Sequence, residues 1–318
     1  MPKNYTSRKG LNTSTVPWVI QGIVPVRFTC CWRYKMDWKT IKSSWYSELS
    51  GLYAREELTA MWGLALNHFH GFNSFYEHTH PAWEPDRKEL DRWIDLLDQL
   101  QSNIPIQYAL GVADFMGMSL QVGPGVLIPR PETEDLVMTI TQETTHSPRR
   151  MIDLCTGSGC IAISLAQHWQ QSEVVGGDLS EQALYWARKN GQKYAPQVQW
   201  KSLDVLKGTS MPEECFDLIV ANPPYVPISD QWEMSAHVLG KEPDMALFVP
   251  DDDALRYYEA IAVWSTHHLT DGGWLYFEIH HQKGPALVDW LIDQGFTSVE
   301  CMQDRFRKDR IIRAKWMN

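Results

Sequence analysis

The sequence lacks the features that identify several common classes of protein. Its six cysteines include no CxxC pair and no spacing with histidine that is typical of a zinc site. No apolar stretch is long enough to cross a bilayer. We therefore expect no metal site, no membrane segment and a reducing, cytoplasmic location. The 318 residues, 44% of them hydrophobic, are enough for one medium-sized domain and a smaller one.

Positive charge is also scarce over most of the chain. Lys and Arg number 29 against 39 Asp and Glu, which gives a formal net charge of -10. Six of the bases lie in residues 1–35, which contain no acids, so the remainder has 23 bases against 39 acids and a charge of -16. Such a surface is poorly suited to a phosphate backbone, and we expect no direct contact with nucleic acid.

The N-terminal part of the chain divides into a segment without periodicity and a helical one. Residues 1–35 show no sustained helical or strand period, and an amphipathic pattern starts only after Met36. We expect residues 1–35 to be a disordered extension and Met36 to be the natural start. Apolar residues such as Ile41 and Trp45 then recur at helical spacing, which predicts a small helical domain over residues 36–103.

Two further segments complete the expected organisation. Residues 104–131 alternate apolar and polar side chains with glycines at the turns, which predicts a β-hairpin linker. Residues 132–318 alternate strand and helix patterns and end in two consecutive strands. That order predicts an α/β domain whose parallel sheet is covered by helices on both faces.

A glycine-rich turn follows the first strand of the second domain. In MIDLCTGSGCIAISLA, Gly157-Ser158-Gly159 lies between strand and helix, where a ligand can approach the backbone and the helix amides. Asp153 lies at the strand end, and Asp178 ends the next strand 21 residues after Gly157, where an acid commonly binds ribose. These elements predict a nucleoside-type ligand. The loop also matches the G-x-G-x-x-A fingerprint, so a nicotinamide dinucleotide stays open as an alternative.

The sequence Asn222-Pro223-Pro224-Tyr225 follows the fourth strand of this domain, at the same edge of the sheet as the glycine loop. Because proline fixes φ and removes amide donors, the Pro223 carbonyl is expected to stay outside the ladder of the sheet. The Asn222 amide oxygen and this carbonyl can accept both hydrogens of a planar NH2 group, and Tyr225 offers a face for stacking. The pattern favours methylation of an amino or amide nitrogen, since fixed acceptors favour the positive charge that develops there.

The chain resembles the release factor glutamine methyltransferases from about Asp37 to its C-terminus. The most specific part, PIQYALGVADFMGMSLQVGPGVLIPRPETEDLV over residues 105–137, is similar to the interdomain hairpin of that family and its Pro-Arg-Pro-Glu-Thr-Glu signature. The resemblance implies a Rossmann-like class I S-adenosylmethionine-dependent methyltransferase domain with a mixed seven-stranded sheet, over residues 132–318. A helical domain that recognises the substrate would be joined to it by the hairpin. The implied activity is N5-methylation, by a monomer, of the glutamine in the Gly-Gly-Gln motif of class 1 peptide-chain release factors.

The resemblance also implies a cofactor site and a substrate site built from these motifs. The glycine loop would hold the methionine part of the cofactor, Asp178 its ribose, and Asp204 with Val205 its adenine. Phe115 and residues 130–134 would brace the site where hairpin and catalytic domain meet. The residues predicted to bind the cofactor are Asp153, Cys155, Thr156, Gly157, Ser158, Gly159, Asp178, Asp204, Val205, Asn222 and Phe115. Those predicted to bind the substrate are Arg130 and Glu132 together with Asn222, Pro223, Pro224 and Tyr225, and the last four are also the predicted catalytic residues.

Two positions depart from the family pattern. Cys155 stands where the glycine loop usually has its first glycine, although a small side chain is compatible with cofactor binding. His280 stands where the family usually has a glycine, so no role is implied there.

Three other functions stay open on the sequence alone. An enzyme that methylates the amino group of a nucleobase would use the same Asn-Pro-Pro-Tyr motif, although the acidic body argues against it. A noncatalytic protein could retain the cofactor for stability, but the intact motif argues against this reading. An oxidoreductase has only the glycine loop in its favour.

Overall fold

The computed structural model describes residues 37–71, 79–80, 83–208, 215–234 and 237–317. The predictions of a disordered extension over residues 1–35 and of a natural start at Met36 lie outside this part of the chain.

Helices α1 (Trp38–Leu49), α2 (Arg55–His70) and α3 (Arg87–Gln101) pack around a core rich in tryptophan. Helix α1 begins at Asp37, which caps the helix because its carboxylate accepts a hydrogen bond of 2.9 Å from the backbone N–H of Thr40. Helix α2 ends at Gly71, which has a φ of 68° that favours glycine. The tryptophans are core residues, as their spacing predicts, and those no more than 3% exposed are Trp38, Trp45, Trp62 and Trp93.

A short helix and a hairpin connect these helices to the α/β domain. Helix α4 (Ile106–Leu110) is followed by strands β1 (Val112–Phe115) and β2 (Met118–Gln121), which pair antiparallel. The hairpin strands therefore cover only part of residues 104–131. The reason is local, since Pro105 and Gly111 bound a single helical turn before the first strand. After β2 the chain makes a turn at residues 124–126 and then enters helix α5 (Pro131–Glu143), whose first residue is a proline.

The α/β domain is built on a seven-stranded sheet. Its strands are β3 (Arg150–Leu154), β4 (Glu173–Asp178), β5 (Gln199–Ser202), β6 (Phe216–Ala221), β9 (Leu269–Glu278), β10 (Thr297–Gln303) and β11 (Asp309–Lys315). Their order in the sheet is β10-β11-β9-β6-β3-β4-β5. Strands β3, β4, β5, β6 and β9 are parallel, whereas β11 is antiparallel to both of its neighbours. The mixed seven-stranded sheet implied by the sequence is thus confirmed. A separate small ladder pairs β7 (Val226–Pro227) with β8 (Phe248–Val249).

Helices cover both faces of the sheet because side chains alternate along each strand. In β3, Met151 packs into one buried cluster and Ile152 into the other. The first cluster includes side chains of α5 and of α6 (Cys160–His168), with α7 (Glu181–Tyr194) beside α6. The second includes α8 (Arg256–His268) and α9 (Gly284–Asp293). Across the described ranges, no helix combines the length and the apolar character that a membrane span needs.

Candidate active site

The carboxyl ends of four parallel strands meet at one edge of the sheet. Leu154 of β3 is in register with Gly177 of β4 and with Ala221 of β6, and Ala221 is in register with Phe277 of β9. The residues that follow these four are therefore neighbours. They are Cys155, Asp178, Asn222 and Glu278.

The Asp178 carboxylate holds the glycine loop in place. Its Oδ2 accepts a hydrogen bond of 2.9 Å from the backbone N–H of Gly157, and its Oδ1 accepts one of 2.8 Å from Ser180. Burial raises the pKa of this carboxyl, although the backbone bonds oppose the effect. An ionised carboxylate has about four lone-pair sites, so Asp178 retains acceptor capacity for a ribose hydroxyl.

Asp153 lies beneath the loop rather than along the cleft. It is 1% exposed, and its Oδ2 accepts bonds from the Thr156 hydroxyl and from the backbone N–H of Ala162. Its Oδ1 is buried and has no partner among the described residues. Burial raises the pKa of this carboxyl to about 7. In this structure Asp153 therefore joins the loop to α6, and contact with the cofactor stays a prediction.

Replacing Asp153 by asparagine is expected to remove a pH dependence of stability. The folded-state pKa of about 7 lies above the usual 3.8, so the folded protein binds this proton more tightly than the unfolded chain. The stabilisation is complete below the unfolded pKa and is lost as the pH rises through about 7. Urea titrations without cofactor should show the wild type losing stability relative to Asp153→Asn as the pH rises towards 7, by at most about 1.4 kcal/mol per pH unit. Parallel pH profiles for the two proteins would contradict the raised pKa.

Cys155 and Gly159 occupy positions in the loop with special backbone geometry. Cys155 has a φ of 58°, in the left-handed region where glycine is favoured, and the residue lies between the cleft and the buried core. Burial raises the pKa of the Cys155 thiol well above its usual value, so the side chain is neutral. Gly159 has a φ of 81°, and a Cβ there would come within 2.7 Å of the Trp200 ring. The glycine is needed because this ring packs against the start of α6.

Cys155→Gly is expected to be more stable than Cys155→Ala by about 1 kcal/mol, since only alanine keeps a Cβ in the left-handed region. Both variants lack the thiol, so the comparison isolates the backbone strain at φ 58°. Thermal and urea unfolding measure the difference, and calorimetry should give the two variants similar cofactor affinities. Equal stability of the two variants would show that the backbone at this position carries no strain.

A cleft opens above the loop. Predicted site residues that line it are Cys155, Thr156, Gly157, Ser158, Asp178, Asp204, Val205, Asn222, Pro224 and Arg130. The walls also include apolar and aromatic side chains that the sequence did not single out, among them Leu203 and Tyr257. A Cβ at Gly157 would meet nothing within 4 Å, so the space over the loop is open to a ligand. The cleft thus combines an acidic group for ribose hydroxyls with apolar walls for a base.

The remaining predicted residues do not line this cleft. Phe115 is 1% exposed and packs in the core beside Leu136 of α5. Glu132 lies in the first turn of α5 and is partly exposed. Pro223 is buried, and no described donor bonds to its carbonyl oxygen. The phenol of Tyr225 donates a hydrogen bond of 3.1 Å to Glu278.

Asn222 is linked to a buried carboxylate that sequence reasoning missed. The Asn222 side-chain NH2 donates to the Thr133 hydroxyl at 3.2 Å, and this hydroxyl donates to Glu278 Oε2 at 2.7 Å. Glu278 is 1% exposed, and burial raises its pKa. The available signal was an acid at the end of the apolar strand GGWLYFE, because a buried acid needs partners.

Arg130 also has a buried partner that the sequence did not reveal. Its guanidinium forms an ion pair with Glu242, whose side chain is 1% exposed, and Glu242 also accepts a hydrogen bond of 3.0 Å from the backbone N–H of Ile128. Glu242 and the nearby Pro243 belong to the segment between β6 and α8, and Pro243 lines the cleft. Arg130 therefore ties this segment to the stretch before α5.

Fold and site together define a class I S-adenosylmethionine-dependent methyltransferase. A dinucleotide-binding sheet is mostly parallel and has its sixth strand at the edge, whereas here the antiparallel β11 is inserted between β9 and β10. A family model described as "Methyltransferase small domain" matches residues 132–242. The protein is an enzyme that uses S-adenosylmethionine. The cleft above the glycine loop is the predicted site of this cofactor.

Similar proteins identify the family. A release factor glutamine methyltransferase of Bacteroides thetaiotaomicron is 44% identical over 69% of this chain and 79% of its own. A protein of the same name from Flavobacterium psychrophilum is 34% identical over 87% of this chain and 99% of its own. Another protein of this name, from Lactococcus lactis, is 39% identical over 72% of this chain and 83% of its own. The chain belongs to the release factor glutamine methyltransferase family, which confirms the resemblance found in the sequence.

Proposed function

We propose that this enzyme transfers a methyl group from S-adenosylmethionine to the N5 side-chain nitrogen of a glutamine, in the Gly-Gly-Gln motif of class 1 peptide-chain release factors. The observation that carries the proposal is the position of Asn222. Its side chain lines the cofactor cleft and directs its NH2 towards Thr133. The amide oxygen is thereby left to accept a hydrogen bond from a substrate.

The proposed site holds the amide nitrogen of the substrate with two acceptors. The Asn222 oxygen and the Pro223 carbonyl accept its two hydrogens, and the motif is rigid because proline restricts the backbone. S-adenosylmethionine supplies the methyl group from a positively charged sulfonium. Because both acceptors are fixed beforehand, they stabilise the positive charge that develops on the nitrogen as its lone pair leaves conjugation.

No side chain is needed as a general base in this proposal. The nearest carboxylate in the network, Glu278, is buried and has both oxygens bonded, to Thr133 and Tyr225. It is therefore poorly placed to reach a substrate proton. The proton leaves to solvent after transfer, and orientation of the two reactants contributes much of the rate enhancement.

We also propose that the enzyme acts as a monomer in the cytoplasm, directly on the protein substrate and without nucleic acid. Within the described part of the chain, the cysteines Cys155, Cys160, Cys215 and Cys301 form no disulfide, which is consistent with a reducing compartment. The formal charge of -10 does not favour contact with a nucleic acid.

Methyl transfer to matched substrates tests the proposal. The full chain is incubated with radiolabelled S-adenosylmethionine and a release factor that carries either Gln or Ala in its Gly-Gly-Gln loop, and with a single-stranded oligonucleotide that contains all four bases. We expect label only on the Gln form, at the loop peptide identified by mass spectrometry. Label on the Ala form would place the modification elsewhere, and label on the oligonucleotide would favour the nucleobase alternative.

A further inference from the structure

We infer that Thr133 and Glu278 are positioning residues that set the orientation of the Asn222 side-chain amide, so that its oxygen faces the substrate. The inference rests on the proposed role of Asn222 as an acceptor. Three separate elements bring the residues together: Thr133 lies in the first turn of α5, Asn222 follows β6, and Glu278 ends β9. Thr133 is 89 residues from Asn222 and 145 residues from Glu278 in the chain.

The number of available protons determines the direction of each hydrogen bond. The Thr133 hydroxyl has one proton, and Oγ1 lies 2.7 Å from Glu278 Oε2. An ionised carboxylate only accepts hydrogen bonds, so this proton is donated to Glu278. The Thr133 oxygen can then only accept, and the Asn222 atom 3.2 Å away must be its NH2 group. The reverse amide orientation would place two acceptors against each other with no proton between them.

Glu278 is fixed by a second hydroxyl. The Tyr225 phenol donates a hydrogen bond of 3.1 Å to Oε1. Each carboxylate oxygen of Glu278 therefore accepts one hydrogen bond from a neutral hydroxyl. Nearby, the Arg310 guanidinium donates to the Ile279 carbonyl at 3.1 Å, and its charge favours the ionised carboxylate. The network is buried, and Thr133 and Glu278 are 2% and 1% exposed. In such surroundings an unpaired polar atom is costly, so the hydrogen-bond pattern is strongly preferred.

The network gives a chemical role to one residue of the Pro-Arg-Pro-Glu-Thr-Glu stretch. Thr133 is the threonine of that stretch, and it stands 2% exposed between Asn222 and Glu278. Loss of its hydroxyl would remove the hydrogen bond that fixes the Asn222 amide, so that the orientation presenting NH2 to the substrate instead of oxygen becomes populated. Such a change affects turnover more than cofactor binding, since the two acceptors act on the charge that develops in the transition state.

Four variants of the full chain test the inference. Thr133→Val keeps the shape but removes the hydroxyl, Thr133→Ser restores the hydroxyl, and Glu278→Gln introduces an NH2 that can donate to Thr133. The matched control is Thr270→Val, because the Thr270 hydroxyl donates to the Asp217 carboxylate at 3.1 Å near the opposite end of β6. For each variant, kcat, the KM for release factor, the cofactor Kd by calorimetry and the melting temperature are measured.

We expect Thr133→Val and Glu278→Gln to lower kcat by about tenfold or more, with a cofactor Kd within about twofold of wild type. Thr133→Ser should recover kcat to within about threefold, and Thr270→Val should change only the melting temperature. Equal kcat for the Val and Ser variants, or an equal loss in Thr270→Val, would overturn the inference.

The outcomes also separate this inference from the proposed function. If Asn222→Ala is inactive while Thr133→Val and Glu278→Gln turn over normally, the orientation role fails and the proposed acceptor role stands. If wild type methylates the oligonucleotide instead of the release factor, the proposed substrate fails. The four variants then still test the orientation on that substrate, because any NH2 group requires the same acceptor oxygen. Transfer to neither substrate would overturn both proposals.

Discussion

Asn222→Ala is expected to lower kcat for methyl transfer by at least about a hundredfold while leaving the affinity for S-adenosylmethionine within about twofold of wild type. The side chain supplies one of the two acceptors that are proposed to hold the substrate nitrogen, and a fixed acceptor contributes mainly to the transition state. Its described hydrogen bond is to Thr133, so its loss should cost little stability. Initial rates at saturating substrates and cofactor calorimetry measure the two effects separately.

Two different results would contradict the acceptor role proposed for Asn222. Normal turnover by Asn222→Ala would remove the side chain from the proposed acceptor pair. Asn222 also lines the cleft that is predicted to hold the cofactor, so a large rise in the cofactor Kd with kcat retained at saturation would assign it to cofactor binding instead. The melting temperature of the variant, compared with that of wild type, shows whether the fold is retained.

Asp178→Ala is expected to raise the Kd for S-adenosylmethionine by about ten- to a hundredfold, with much of kcat recovered at saturating cofactor. Two losses combine in this variant. The carboxylate is proposed to accept a ribose hydroxyl, and it also anchors the backbone N–H of Gly157 at 2.9 Å. A hydrogen bond to a charged group contributes about 1.5–3 kcal/mol, so the loss of the ribose contact alone accounts for the expected range.

Asp217→Ala is the matched control for this experiment. Asp217 also accepts two backbone hydrogen bonds through its carboxylate, from Arg149 at 2.7 Å and Arg150 at 3.0 Å, but it lies near the amino end of β6, away from the cleft. Its replacement should reduce the free energy of unfolding and leave the cofactor Kd unchanged. Isothermal calorimetry compares the two variants directly. An unchanged Kd in Asp178→Ala would refute the ribose role, and equal losses in both variants would indicate a general effect on the fold.

The elements that the sequence predicted well depend on local patterns. Strands and helices alternate visibly from residue 150 onwards because each has its own hydrophobic period, and prolines and glycines mark their ends. The glycine loop and Asn222 lie at one edge because the carboxyl ends of parallel strands meet there. The hairpin was predicted less well, since a helical turn between Pro105 and Gly111 replaced part of the expected strand.

The sequence, through the family resemblance that its motifs carry, predicted the class of enzyme and the cofactor. It also placed the glycine loop and Asn222 at one edge of the sheet, since each of these predictions depends on a contiguous motif. The tertiary structure alone decided which distant residues hold those motifs in place. Glu242 carries no local signature, and the acid at the end of strand β9 does not reveal which residues pair with Glu278. Their partners Arg130 and Thr133 lie more than 100 residues away. The physical reason is that a buried carboxylate must find hydrogen-bond donors wherever the fold brings them, and strand order and helix packing set those neighbours.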